Sequence, residues 1–451
     1  MDVRVAVVTG PIEGSRPPFG APPDDVLDAN GYVAEEFRIE GETVGYGTAG
    51  GTRLGDDGHW EVAETGVAPY RTRILVVRPA EAAGFNGTVL LNWQNVSASR
   101  EMGGPTGDEV YRGFAWVGVS AQEVGLYGFP FGMDRGGGGS GGGRPLVEHD
   151  PERYGELHHP GDPGAYELFS QAARAVGPGR TTGAPGGVAP DPMGGLPVRR
   201  VIATGASQSA MRLACYANAV HRRDRVVDGF LLAVWEGRAP RPEEGPVAMG
   251  VRTRVRDDLG VPVVVVNSEF EVPHLATVGE VDGPLQRIWE VAGTAHAHLP
   301  PGRPDGRGWE PNSLHYGRVH ESALRWIHGW VAGGPPAPAQ PRVEVDPGPA
   351  PRVRRDELGN AVGGIRLPEL EAPVREYRGM AIGTGRPPLF GASRPLADDV
   401  IRRLYPTRRD YLERWGAAVD RLAASGAIRP EDVEVLRARG ESVVLPADLA
   451  P

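Results

Sequence analysis

The feature of this sequence that most constrains its fold is a series of short, continuously apolar runs. They comprise residues 88–93 (TVLLNW), 115–120 (AWVGVS), 229–235 (GFLLAVW) and 261–266 (VPVVVV). Runs of this length without polar alternation are typical of strands that are buried on both faces of a sheet. Stretches with helical spacing lie between the runs, so strands and helices alternate along the chain. This alternation predicts an α/β fold with a mostly parallel central sheet that is flanked by helices.

The sequence on either side of this core follows other patterns. Residues 31–46 (GYVAEEFRIEGETVGY) alternate between apolar and polar positions, which predicts a β-hairpin with its bend at Glu40 and Gly41. Residues 404–439 have helical spacing on both sides of Gly426, which predicts a helical hairpin that turns there. We therefore expect extra strands at the N-terminus and a helical extension at the C-terminus.

A glycine-rich region interrupts the core between residues 125 and 197. It contains GGGGSGGG at residues 136–143, a run that cannot pack and that predicts a flexible loop or part of a lid. Within the same region, residues 165–176 (AYELFSQAARAV) have helical spacing. We predict a core domain of residues 1–335 that includes this loop or lid, and a C-terminal extension of residues 336–451 packed on it.

The composition excludes several classes of protein. All 48 basic residues are arginines, which excludes the Schiff-base, P-loop and Ser–Lys chemistries that need a lysine. A net charge of −10 argues against nucleic acid as a partner. No apolar run reaches the roughly 18 residues of a membrane-spanning helix, and the N-terminus lacks the apolar segment of a secretory signal. Cys215 has no second cysteine to pair with. A cytoplasmic protein is the expectation.

The strongest indication of chemistry is the pentapeptide GASQS at residues 205–209, between a predicted strand and a predicted helix. A tight strand-to-helix turn can hold a serine hydroxyl in strained geometry, with the positive end of the helix directed at the developing charge. Gly205 and Ser209 are small enough for the two elements to approach, although glycine is more usual where Ser209 stands. The pattern predicts Ser207 as a nucleophile; an ordinary turn is the alternative.

In such a fold the acid and the base follow the serine, in that order. The apolar run 261–266 is followed by Glu269 and Glu271. We predict Glu271 as the acid because it has the spacing at which an aspartate commonly follows such a strand, and Glu269 is the alternative. The predicted base is His296, in the small-residue segment AGTAHAH, with His298 as the alternative.

Ester cleavage through a serine also needs backbone N–H donors for the developing oxyanion. One is predicted at Gln208, the residue after the nucleophile. The second is predicted in the loop after residues 88–93, at Asn95 or Val96. The sequence has no His/Asp/Glu cluster of metal-ligand spacing and no GxGxxG after a strand, so we expect neither a metal nor an organic cofactor.

Several segments are similar to those of a bacterial family described as α/β-hydrolase domain-containing. They are NWQNVSAS from Asn92, WVGVSAQ from Trp116, TGASQSAMRLACYANAVH from Thr204, IWEVAGTAHAH from Ile288, GNAVGGIRLPELEAPV from Gly359 and LYPTRRDYL from Leu404. The resemblance covers most of the chain. It implies an α/β-hydrolase fold with a C-terminal extension, a nucleophile at Ser207 and a base at His296. Members often carry an aspartate where Glu271 stands, and many are exported.

The sequence thus predicts a serine esterase that acts on a small-molecule ester through an acyl-enzyme, with the triad Ser207, His296 and Glu271. A lactonase, a thioesterase or an acyltransferase would use the same residues. A binding protein that kept the scaffold without the chemistry is a further alternative. The sequence leaves these alternatives open, as it does the oligomeric state.

Overall fold

The computed structural model describes residues 3–51, 54–129, 144–180, 189–246, 248–297, 299, 304–381 and 387–449. Contacts between residues divide the chain into two compact units. The first unit comprises Met1–Leu232 and Gly237–Val263, and the second comprises Ala233–Glu236 and Val264–Pro451. The boundary at residue 335 and the packing of the extension on the core stay predictions.

The first unit is built on a mixed sheet. Its strands are β1 (Val7–Thr9), β2 (Tyr32–Thr48), β3 (Val62–Pro79), β4 (Thr88–Trp93), β5 (Ala115–Val119), β6 (Arg200–Ala206) and β7 (Gly229–Ala233), and a separate antiparallel pair consists of β8 (Arg238–Ala239) and β9 (Val251–Arg252). The order in the sheet is β1-β2-β3-β5-β4-β6-β7. The pairs from β1 to β5 along this order are antiparallel, whereas β4 pairs in parallel with both β5 and β6. The predicted α/β sheet with extra N-terminal strands is confirmed.

The predicted hairpin of residues 31–46 is wrong, because these residues belong to one long strand, β2. Strand β2 is continuous from Tyr32 to Thr48 and pairs with β3 along its whole length, with an irregularity in the register between Gly45 and Tyr46. Glu40 lies opposite Arg71, and its carboxylate accepts a hydrogen bond from Arg71 Nε at 2.6 Å. Apolar and polar residues alternate in the same way in one long strand as in two short paired strands. The pattern of residues 31–46 therefore could not show whether the chain turns at Glu40 and Gly41.

The helices of the first unit cover the sheet. They are α1 (Asp24–Asn30), α2 (Glu123–Tyr127), α3 (Leu146–His149), α4 (Pro151–Tyr154), α5 (Ala165–Val176), α6 (Gln208–Ala219) and α7 (His221–Asp224). Helix α5 matches its prediction to the residue. The ring of Trp93, on β4, lies 4.9 Å from that of Phe169 and 5.5 Å from that of Tyr166, both on α5. This aromatic cluster fixes α5 against the centre of the sheet.

The predicted loop or lid at residues 125–197 is described only in part. The glycine run at residues 136–143 lies outside the described residues. The described part contains the helices α3, α4 and α5, so this region holds more regular structure than its composition indicates. Whether it acts as a lid stays a prediction.

The second unit holds the remaining elements. Its strands are β10 (Val263–Ser268), β11 (Gln286–Val291), β12 (Val345–Asp346), β13 (Arg352–Val353), β14 (Arg375–Arg378) and β15 (Ala392–Pro395). Its helices are α8 (Val272–Leu275), α9 (Gly317–Val331), α10 (Pro368–Glu371), α11 (Asp398–Leu404), α12 (Arg408–Ala424) and α13 (Asp432–Glu441). Strand β10 is a neighbour of β11, and β12 with β13 and β14 with β15 form two antiparallel pairs.

The helical hairpin predicted near the C-terminus is confirmed as α12 and α13. Thr407 begins α12 in a capping box with Asp410, and Gly426 follows the helix with a φ of 73°, where a β-carbon would be strained. Trp415 is buried between the two helices, and its Nε1 donates to the carbonyl oxygen of Leu436 at 2.7 Å. Within the described part of the chain, no helix has the length and apolar character needed to cross a membrane.

Candidate active site

The predicted nucleophile lies on a strained turn. Strand β6 ends at Ala206, helix α6 begins at Gln208, and Ser207 between them has φ 57° and ψ −121°. A residue other than glycine is uncommon at positive φ, and holding it there costs about 1–3 kcal/mol. Such strain persists only where the surrounding structure imposes it. The backbone at Ser207 therefore has the strained geometry that is predicted for a nucleophile elbow.

Three neighbours impose this geometry on Ser207. Asn95 Nδ2 donates to the carbonyl oxygen of Ala206 at 2.8 Å. The buried hydroxyl of Ser209 donates to that same carbonyl and accepts from the N–H of Ala206, both at 2.9 Å. A β-carbon on Gly205 would lie 2.9 Å from Leu213 Cδ1 and 3.1 Å from the backbone carbonyl of Ser209, so a larger residue there would crowd the start of α6. Ser209, which departs from the usual glycine, thus contributes two hydrogen bonds to the elbow.

The residues predicted for the oxyanion hole lie beside this elbow. Gln208 is the first residue of α6, and its side-chain Oε1 lies 3.5 Å from the backbone N of Val96, which donates to it. The side chain of Asn95 is bonded to Ala206. The structure therefore brings Asn95, Val96 and Gln208 together next to Ser207, and an oxyanion hole formed by their backbone N–H groups stays a prediction.

A buried polar chain behind Gln208 was missed by sequence reasoning. Gln208 Nε2 donates to Gln122 Oε1 at 2.8 Å, and Gln122 Nε2 donates to Asp162 Oδ2 at 2.9 Å. Asp162 also forms an ion pair with Arg212 at 2.8 Å, and all three of these partners are buried. A fully bonded buried network of this kind fixes side chains in one arrangement. Gln122 ends the segment WVGVSAQ, but the spacing of that segment indicates no role for it.

The predicted acid and base form a hydrogen-bonded pair in the second unit. Glu271 Oε1 lies 2.5 Å from His296 Nδ1, and Glu271 is fully buried. Its other oxygen, Oε2, accepts from the backbone N of Ser268 at 2.9 Å and from Ser268 Oγ at 2.6 Å. The ring of Phe270 meets that of His296 edge-on at 5.4 Å. Because a carboxylate can only accept, the neutral imidazole carries its proton on Nδ1, and Nε2 is the nitrogen able to take a proton.

The charge state of His296 depends on two carboxylates. Burial lowers the pKa of His296, but the hydrogen bond and charge of Glu271, together with the charge of Glu236, outweigh burial, so this pKa lies above its ordinary value. Glu236 lies three residues after the end of β7. Between them, Val234 has a φ of 45°, which is rare for a β-branched residue. Trp235 N donates to Asn267 Oδ1 at 2.8 Å and holds this segment against β10. Sequence reasoning did not select Glu236.

The alternative acid, Glu269, has other partners. Its carboxylate accepts from Arg355 Nη2 at 2.5 Å and from the backbone N of Gly379 at 2.9 Å and of Gly293 at 2.8 Å. The alternative base, His298, lies outside the described residues. Of the two glutamates, the structure pairs Glu271 with His296. Ser207, Gln208 and Asn95 belong to the first unit, whereas Glu271 and His296 belong to the second.

One group of side chains has the composition of a metal site. His59, Asp257 and Asp258, all exposed, have ligand atoms within 4.8 Å of one another. Asp258 is already paired with Arg256 at 2.5 Å and with Arg222 at 3.1 Å. The hydrogen bond from Arg256 is the main reason that the pKa of Asp258 is lowered. These arginines supply the positive charge that an ion would bring, so the group is explained as a surface salt-bridge cluster.

Over residues 8–438 the chain matches the family described as alpha/beta hydrolase domain, and it belongs to that family. The predicted fold class is thereby confirmed over nearly the whole chain. No curated protein matches the chain significantly.

Solved structures resemble the chain only weakly. A proposed dienelactone hydrolase from Klebsiella pneumoniae subsp. pneumoniae MGH 78578 is 14% identical, covering 56% of this chain and 85% of its own, with a TM-score of 0.24. Esterase Est22 is 11% identical, covering 59% of this chain and 75% of its own, with a TM-score of 0.26. Brefeldin A esterase is 12% identical, covering 61% and 80%, with a TM-score of 0.24. TM-scores this low identify no substrate.

Proposed function

We propose that this chain is a serine hydrolase that cleaves a carboxylic ester, with Ser207 as nucleophile, His296 as base and Glu271 as acid. Membership of the alpha/beta hydrolase family supports hydrolysis as the type of reaction. The observation that carries the proposal is the positive φ of Ser207 at the turn between a buried strand and a helix. Backbone strain of this kind clusters at active sites, where it presents a reacting side chain.

The proposed reaction passes through a covalent acyl-enzyme. Ser207 Oγ attacks the ester carbonyl carbon while His296 Nε2 takes the hydroxyl proton. The tetrahedral intermediate collapses, the bond to the alcohol oxygen breaks, and His296 returns the proton to the leaving alcohol. A water molecule then attacks the acyl carbon while His296 takes one of its protons. The bond between the acyl carbon and Ser207 Oγ breaks, His296 returns the proton to Ser207 Oγ, and the carboxylic acid leaves. Glu271 accepts from Nδ1–H throughout and stabilises the imidazolium.

The proposed oxyanion donors are the backbone N–H groups of Gln208 and Asn95. Val96 is the alternative to Asn95, but its N–H would have to leave Gln208 Oε1, to which it donates at 3.5 Å. The hydrogen bonds that fix the side chains of Gln208 and Asn95 support this assignment. Donors that are held in place before the reaction need no reorganisation when charge develops, and one such donor contributes about 10²–10³-fold to kcat.

Hydrolysis of p-nitrophenyl acetate by the purified chain tests this function. We expect turnover by the wild type and a loss of about 10⁶-fold in kcat for Ser207→Ala. Ser442→Ala is the matched control, because Ser442 is exposed and its Oγ donates to the carbonyl oxygen of Arg439 near the C-terminus. A library of esters, lactones and thioesters then identifies the substrate class. Absence of turnover on all of them would favour the binding-protein alternative.

A further inference from the structure

We propose that Glu269 is a positioning residue for His296, and that the C-terminal extension holds the base in place through it. This inference rests on the proposed function. In the sequence, Glu269 is the alternative to Glu271 as the acid. Its contacts assign it a different role, and they give the extension a part in catalysis.

Glu269 connects the segment before His296 to the extension. The residue is 2% exposed, and its two oxygens point to different parts of the second unit. Oε1 accepts from Arg355 Nη2 and from the backbone N of Gly379, both in the extension. Oε2 accepts from the backbone N of Gly293, three residues before His296. The backbone N of Glu269 donates to the carbonyl oxygen of Thr294 at 3.2 Å. One buried carboxylate therefore joins the extension to the base loop, residues 292–297.

Other bonds tie the base loop to the same part of the extension. Asn312 Nδ2 donates to the carbonyl oxygen of Gly293 at 2.6 Å and to that of Arg378 at 3.0 Å. The backbone N of Ala297, directly after His296, donates to the carbonyl oxygen of Leu389 at 3.0 Å. The base loop is thus bonded to the extension on both sides of the histidine.

Close packing confirms that this fit is tight. A β-carbon on Gly379 would lie 2.7 Å from Glu269 Cβ and 2.7 Å from the carbonyl oxygen of Thr294. A β-carbon on Gly391 would lie 2.8 Å from Ala295 Cβ. Two glycines of the extension therefore allow its backbone to approach the base loop within a distance that any side chain would prevent.

Glu269 and Glu271 have different roles toward His296 in this proposal. Glu271 bonds the imidazole of His296, whereas Glu269 bonds the backbone that carries it. Glutamine at position 269 keeps the shape of the side chain, but its NH₂ group must face either the N–H of Gly293 or the two donors of Arg355 and Gly379. Loss of the Gly293 or Gly379 bond would let the base loop shift. A displacement of about 1 Å in a catalytic group can cost about 10²-fold in rate.

Kinetics of Glu269→Gln on p-nitrophenyl acetate test the proposal. We expect kcat to fall about 100-fold with KM nearly unchanged, because binding does not depend on the base. The matched control is Glu310→Gln, which breaks a 2.7 Å ion pair with Arg375 of the extension, a pair that includes no residue of the base loop. This control should retain kcat within about threefold. Equal losses in both variants, or an unchanged kcat in Glu269→Gln, would overturn the proposal.

A second measurement separates this proposal from the proposed function. NMR titration of His296 needs no turnover, and a loosened Glu271 bond should lower the pKa of His296 in Glu269→Gln but not in Glu310→Gln. If the wild type hydrolyses no ester, the proposed function fails while the titration still tests the positioning. Circular dichroism checks folding. If Glu269→Gln does not fold, Arg355→Gln replaces it, because Arg355 is only partly buried. The same fall in kcat and in the pKa of His296 is expected for Arg355→Gln, and no change in either would overturn the proposal.

Discussion

Replacing Glu271 by glutamine perturbs the acid–base pair at one atom. Three donors converge on the Glu271 carboxylate, namely His296 Nδ1 at 2.5 Å, Ser268 N at 2.9 Å and Ser268 Oγ at 2.6 Å. A carboxylate accepts all three, whereas an amide has only one oxygen. Both Ser268 donors point at Oε2, so the amide oxygen of a glutamine takes that position and its NH₂ group faces His296.

The size of the effect follows from the tautomer that this NH₂ group selects. A donor at Nδ1 stabilises the imidazole with its proton on Nε2, and that tautomer cannot take the proton of Ser207. Selection of the wrong tautomer costs about 10⁴-fold in kcat. At about 1.36 kcal/mol per tenfold change, this amounts to about 5.5 kcal/mol of transition-state stabilisation.

Steady-state kinetics on p-nitrophenyl acetate measure this loss. We expect kcat of Glu271→Gln to fall about 10⁴-fold, well beyond the 100-fold expected for Glu269→Gln. Circular dichroism of the variant should match that of the wild type, because the amide fills the same volume. A kcat within tenfold of the wild type would refute the tautomer argument. A larger loss in Glu269→Gln than in Glu271→Gln would assign the acid to Glu269.

Three further predictions concern the surroundings of the site. His296 must be neutral to accept a proton, so kcat/KM rises with pH through the raised pKa of His296. Glu236→Gln removes a negative charge that favours the imidazolium, so we expect the acidic limb of the pH profile to move to lower pH. An acidic limb at the wild-type position would contradict this. Gly205→Ala introduces a β-carbon into a closed contact and should lower the free energy of unfolding in urea by about 1–3 kcal/mol, and an unchanged midpoint would disprove the packing argument. Gln122→Ala removes the anchor of the Gln208 side chain and should lower kcat by up to about 100-fold, measured beside KM, which should stay constant.

The sequence predicted correctly those helices and strands whose pattern depends only on residues that are close in the chain. The apolar run at residues 88–93 and the helical run at residues 165–176 match β4 and α5 because burial imposes their periodicity directly. The turn at Ser207 was recognisable because small residues, a strand and a helix must coincide there. The predicted hairpin at residues 31–46 was wrong because β2 pairs with β3, which lies later in the chain. The apolar pattern of one strand does not indicate which strand it pairs with.

Choices that depend on distant partners could not be made from the sequence. Spacing after the apolar run favoured Glu271 over Glu269, but the two glutamates lie only two residues apart, and the sequence does not show what either of them contacts. They differ because Glu269 meets Arg355, which lies 86 residues further on, while Glu271 meets His296. Gln122 was missed for the same reason, since its partners Asp162 and Gln208 lie 40 and 86 residues further along the chain.

Labelling with a fluorophosphonate tests the central claim most directly, because the reagent reacts only with a serine that a base activates. We expect mass spectrometry to find the label on Ser207 of the wild type. The labelling rate should collapse in His296→Ala and stay unchanged in His274→Ala, a control at an exposed histidine near Phe270. A label on another serine, or a His296→Ala variant that reacts at the wild-type rate, would contradict the account.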